Sequence, residues 1–233
     1  MRTLGLLCMT SLAMPLPSGA AAQVSVVDEG SFTITRDGAR SGRETFTIRK
    51  TGVGAANAYV ANGTTDLDGR RLVPALQTDA DFEPIKYQLE VRKDDNVVER
   101  LKGIAGRGRF SMQVRTSQGE STREFIASDE AVLLDDDVFH QYYFVAQRAL
   151  KLGAAGGSIA VVTPQRAEQR VLTAKWAPDE SVVIAGRSVA AKHLMLREAG
   201  GGSQSLWVDA AGHVLKVSLD GRRLVIQRDA LPR

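Results

Sequence analysis

Cysteine is all but missing from this chain: Cys8 is the single thiol among 233 residues, and it falls in an N-terminal stretch that reads as a removable leader. No disulfide can therefore form within the chain, and a form lacking the leader has no thiol chemistry. Histidine is nearly as scarce. His140, His193 and His213 stand far apart, and none is in an H-x-x-x-H or H-x-E spacing, so neither a histidine metal site nor a cofactor is indicated. Long apolar runs are also lacking, since none approaches the roughly 20 residues that cross a bilayer as a helix; no transmembrane segment is expected. Charge of one sign is lacking too. Lys and Arg number 30 against 27 Asp and Glu, a formal net charge of +3, and the cations are scattered rather than striped, which excludes a nucleic-acid footprint.

What is present begins with MRTLGLLCMTSLAMPLPSGAAAQ. Arg2, the apolar run from Leu4 to Leu16, Pro15 and Pro17, and the small residues Ala20-Ala21-Ala22 read as a secretory signal peptide over residues 1–22, cleaved after Ala22. The expected location is periplasmic or secreted. Residues 23–233 then form a single β-rich domain, long enough for folding to bury ~70% of its surface without a covalent staple.

Alternation of period two dominates this domain. Phe32 and Ile34, then Phe46 and Ile48 beyond the turn region 37–42, mark a hairpin with one apolar face. Residues 58–65 and 71–78 form the next pair across Asp68-Gly69, and Ile85, Tyr87, Leu89 and Val91 alternate with charged and polar neighbours before Asp94-Asp95-Asn96 turns the chain. Phe110, Met112 and Val114 continue the pattern, and seven further strands are expected after residue 157. Gly103, Gly106 and Gly108 read as a turn or bulge, since no helix pattern follows them as a dinucleotide fingerprint requires. About a dozen short strands with one helix predict a mainly β (α+β) fold: a large curved antiparallel sheet or half-open barrel clasping one central amphipathic helix.

That helix lies in AVLLDDDVFHQYYFVAQRALKLGAAGG, residues 131–157. Val138, Phe139, Tyr142, Tyr143, Val145, Ala146, Ala149 and Leu150 fall on one broad arc at about 100° per residue; His140, Gln141, Gln147, Arg148 and Lys151 fall on the other. An Asp among 135–137 is expected to cap the first turn, with Gly153 at the C-terminal end. Phe144 projects from the polar arc. This placement implies that either a second layer or a partner covers that face, and Phe144 is expected to form the floor of a ligand cavity or the centre of a partner contact.

The C-terminal third carries a resemblance. The runs Ser181–Ala191, Leu194–Arg197 and Leu206–Val217, with their W-x-D-x-x-G turn, and Phe32 to Glu44 with Gly38 and Gly42, resemble exported bacterial proteins of unknown function whose sheet is like the lipoprotein-carrier (Lol-type) fold. The resemblance implies a half-open barrel around a helix with an apolar cavity for acyl chains. It supplies no catalytic residues.

No reaction is spelled out elsewhere. Gly156-Gly157-Ser158 leads into a strand rather than forming a nucleophile elbow, and Asp135, Asp136 and Asp137 lack the spacing of a calcium loop. Two expectations remain. The first is a non-enzymatic binding or assembly protein that holds an apolar, lipid-like ligand or docks an envelope protein, with Tyr142, Tyr143, Phe144, Trp176 and Trp207 as ligand-binding candidates. The second is a hydrolase with His140 as a base held by Asp136 or Asp137. A carboxylate on His140 inside a concave pocket would favour the enzyme, and an apolar cavity without converging titratable groups the binder.

Overall fold

The computed structural model describes residues 24–52 and 57–232. The expected leader and its cleavage point lie outside these residues. Strands β1 (Ser25–Arg36), β2 (Ala39–Thr51), β3 (Ala58–Leu67), β4 (Arg70–Thr78), β5 (Pro84–Lys93), β6 (Asn96–Gly106), β7 (Arg109–Thr116) and β8 (Gly119–Ile126) run as one antiparallel meander. After β9 (Val132–Leu133) come a 3₁₀ turn at Phe139–Gln141 and the helix α1 (Tyr142–Leu152). The chain then returns to the sheet as β10 (Gly157–Thr163), β11 (Glu168–Trp176), β12 (Glu180–Ile184), β13 (Arg187–Glu198), β14 (Ser203–Val208), β15 (Val214–Leu219) and β16 (Leu224–Arg228). β1 pairs with β2 on one side and β16 on the other, which joins the two halves into a large open sheet of 16 strands that does not close into a barrel.

Local chemistry sets the hairpins. Asp37-Gly38, Asp68-Gly69, Asp94-Asp95, Arg107-Gly108 and Ala185-Gly186 are two-residue loops with positive φ at both positions, the turn whose twist matches paired strands. The first turn is thus shorter than the expected 37–42, and Gly42 lies within β2. There a side chain would collide with the backbone of Asp66 on β3. Gly103 likewise sits within β6 rather than in a bulge, and its missing side chain leaves room for the ring of Phe110 on β7.

The helix packs into the core of the sheet, with β9, β10, β14 and β15 as its nearest strands rather than the expected β1, β2, β5 and β7. Phe32, Ile34, Phe46, Ile48, Tyr87, Leu89, Phe110 and Met112 share one continuous core with Tyr142, Val145 and Ala149. Ile85 departs from its strand-mates and is exposed, because the register shifts next to it between Gln77 and Thr78. Val182, Ile184, Ala191 and Leu215 form a small second core, where β12 folds along the N-terminal half of β13 outside the main sheet path.

The helix also departs from its expected form. It is short, and only part of its expected polar arc is wet: Lys151 is exposed and Gln147 and Arg148 half-buried, whereas His140, Gln141 and Phe144 are buried. Phe144 lies 6.1 Å from Phe82 and 5.5 Å from Tyr143, ring to ring. The reason is a residue in a loop. Phe82, at φ 71°, turns inward from the segment before β5 and covers the face that periodicity left to solvent.

Candidate functional site

The acidic run does not cap the helix: no side chain bonds the first turn from Gln141. The N–H groups at this end are met from across the fold. Glu44, on the inward parity of β2 with Phe46 and Ile48, accepts the backbone N–H of Phe139 at 2.7 Å and of His140 at 2.9 Å, and its Oε1 also contacts His140 Nδ1. A carboxylate here complements the partial positive charge of exposed amides at a helix start. The sequence paired His140 with Asp136 or Asp137. The structure pairs it with Glu44, and both side chains are fully buried.

Around this pair lies a buried polar seam. Gln141 Oε1 accepts the N–H of Asp135 at 2.7 Å, and Asp135 Oδ1 accepts those of Asp136 and Gln165. Thr65 Oγ1 and His140 Nε2 are buried without a hydrogen-bonding partner in the protein, and the Tyr87 hydroxyl lies between the side chains of Asp135 and Gln141. Burial raises the Asp135 carboxyl to about 7 and holds the Tyr87 hydroxyl well above its ordinary value, with nearby Asp135 adding to the effect.

Asp135 also lines the pocket at the mouth of the helix, about 310 Å³, between the 135–142 segment and the ends of β10, β11, β13, β14 and β15. Leu134, Phe139, Tyr142 and Leu219 supply its apolar wall, and Gly201, Gly202 and Gly221 its narrow side. Three ion pairs form the rim. Arg166 takes Asp136 in a fork at 2.8 and 3.0 Å, Arg222 meets Asp137 at 2.5 Å, and Arg170 meets Glu198 at 2.9 Å while donating to Thr163. Tyr142 donates its hydroxyl to Gln204 at 2.8 Å, and burial raises its pKa even though Arg170 and Arg222 pull the other way.

The sequence candidates therefore separate. Asp136, Asp137 and Tyr142 meet at this pocket, while Tyr143 and Phe144 are packed in the core. Tyr143 stacks on His213 at 6.4 Å. Trp176 donates its indole N–H to the Gly153 carbonyl, fixing the loop after the helix. Trp207 donates to Glu180 and carries the His193 ring at 4.5 Å and the Lys216 ammonium at 4.6 Å, so its ring is already engaged. Among the described residues no cluster of three or more metal-ligating side chains occurs, and no helix is long and apolar enough to cross a membrane.

The sequence reading missed Arg166, Arg170, Glu198, Gln204 and Arg222, which long-range pairing alone brings together. Glu44 was missed as well, although a signal for it exists: it continues the inward alternation of Phe46 and Ile48. The same signal marks Arg228, which shares the buried parity of Leu224 and Ile226 and forks onto Asp28 at 2.6 and 3.1 Å.

No family model matches the chain, and no curated protein matches it. Among solved structures, it is similar over 92% of its length to 97% of a DUF1089 family protein from Pseudomonas aeruginosa, an uncharacterised bacterial protein, at 16% identity and a TM-score of 0.42. That likeness does not show the Lol-type fold.

Proposed function

We propose that the protein is an exported, non-enzymatic binding module that holds a partly apolar small molecule in the pocket at the mouth of α1. The observation that carries this reading is the convergence of Leu134, Phe139, Tyr142 and Leu219 on one concave wall beneath a polar rim. A few placed polar groups over an apolar wall is the usual make-up of a ligand site, and about 310 Å³ lies at the small end of such sites. An acyl chain or another lipid-like body, the ligand class implied by the Lol-type resemblance, would rest on that wall. The concave form suits a small molecule better than a docked envelope protein. The hydrolase reading needs His140 beside Asp136 or Asp137 and open to substrate; instead the imidazole is sealed against Glu44.

Native mass spectrometry of the protein purified from its own source tests the proposal. A Cβ at Gly202 would meet nothing nearer than Gly221 at 3.8 Å, so Gly202→Phe can fill the mouth without disturbing the core. A bound mass on the wild type that Gly202→Phe lacks is expected. Bare protein in both samples would remove the reading.

A further inference from the structure

Resting on that binding reading, we infer that the polar part of the ligand is uncharged and polyhydroxylated, a saccharide-like group rather than an anion or a zwitterion. The rim is charged but balanced: Arg166, Arg170 and Arg222 are each matched by Asp136, Glu198 and Asp137. A carboxylate or phosphate entering here gains three guanidiniums but meets the paired carboxylates of Asp136, Asp137 and Glu198, with Asp135 as a fourth in the lining. A zwitterion has to insert its charges into contacts already made, and stripping water from ions is costly. Hydroxyl groups cost less to desolvate, and each both donates and accepts.

The spare hydrogen-bonding capacity has the same mixed character. Arg222 uses only Nη2 on Asp137, and Arg170 uses Nε and Nη1, so N–H groups remain on both guanidiniums; Gln204 accepts from Tyr142 and keeps its amide NH₂. On the acceptor side, Asp137 and Glu198 each have one oxygen outside these pairs. Asp135 adds a second, independent pointer. It is buried beside the Tyr87 hydroxyl and lines the pocket, so its carboxyl can face the polar part of a ligand. Donors and acceptors interleaved around the rim fit a group that bears several hydroxyls, leaving the wall to the apolar part of the ligand.

The test is amide-resolved NMR of the full mature chain titrated with methyl glucoside, butyrate and alanine as neutral, anionic and zwitterionic probes. Saturable shifts of the Gly201, Gly202, Gln204 and Gly221 amides are expected with methyl glucoside at lower concentration than with the other two. Asp137→Asn, which suits the left-handed φ of 62° at that position, and Arg222→Gln should each weaken methyl glucoside about tenfold, the loss of one charge-assisted hydrogen bond. Butyrate or alanine binding as tightly as methyl glucoside overturns the inference. So does an absence of methyl glucoside shifts at these amides. In either case the binding role is judged separately, by the mass retained on the wild type and lost in Gly202→Phe.

Discussion

Glu44 on β2 caps the start of the helix from a strand nearly a hundred residues away in the chain, and His140 locks that contact by placing its ring between Glu44 and Gly63. Gly63 is indispensable to the arrangement: a Cβ there would stand 2.8 Å from His140 Cε1 and 2.9 Å from Nδ1. The Phe46 ring stacks on His140 at 5.7 Å and on Phe32 at 4.9 Å, so the pair sits inside an aromatic column. Glu44→Ala leaves two N–H groups and an imidazole unpaired in the core, and is expected to cost ~3 kcal/mol or more. Gly63→Ala should cost ~1–3 kcal/mol through overpacking. Chemical denaturation measures both, and values near zero would mean that the helix start is held by other contacts.

Phe144 and Tyr142 should respond to truncation by different amounts. Phe144→Ala empties a fully buried site, at an expected cost of ~3–5 kcal/mol. Tyr142→Phe removes one hydrogen bond to Gln204 and should cost only about 1 kcal/mol while weakening the bound ligand. A Phe144→Ala midpoint equal to that of the wild type would return this side chain to the surface.

Asp135 predicts a pH dependence of stability. Its carboxyl rises from an ordinary 3.8 to about 7 on folding, so between these values the folded chain holds a proton that the unfolded chain has lost. Stability therefore falls as pH rises from about 4 to about 7, and levels off above. Asp135→Asn abolishes this contribution, and the thermal midpoint of the variant relative to wild type should climb through the same window. A constant difference across that window would show that Asp135 ionises as freely as an exposed carboxylate.

His213 acts with the same sense of slope for a different reason. Its Nδ1 lies 2.8 Å from Asp209 and its Nε2 3.2 Å from the Val27 carbonyl; two acceptors on one ring favour the doubly protonated imidazolium, and the pKa is raised from 6.5, chiefly by the bond to Asp209. This stabilisation is present below the unfolded value and fades as pH rises through the folded one. Asp209 carries the matching effect at the acid end. Its carboxyl is lowered by the His213 bonds despite the opposing effect of burial, and its contribution is lost as pH falls through that lowered value. His213→Gln should flatten the neutral part of the stability profile, readable by NMR titration of the ring and by thermal scans.

The sequence by itself determined the strands, most of the turns and the inward faces, because period-two alternation and Asp-Gly turns act over a few residues. It also marked the helix, and the apolar contact of Tyr142, Val145 and Ala149 with the sheet follows from matching one-sided faces. Glu44 and Arg228 were missed, although each continues the buried parity of its strand. Only the tertiary structure decided that the helix is covered on its second face, since that depends on Phe82 turning inward from an irregular loop. The same holds for the pocket rim. Arg166, Arg170, Arg222 and Glu198 meet the acidic run only because β11, β13, β14, β15 and β16 follow one another in the sheet order, and pairing between strands far apart in sequence leaves no local periodic trace.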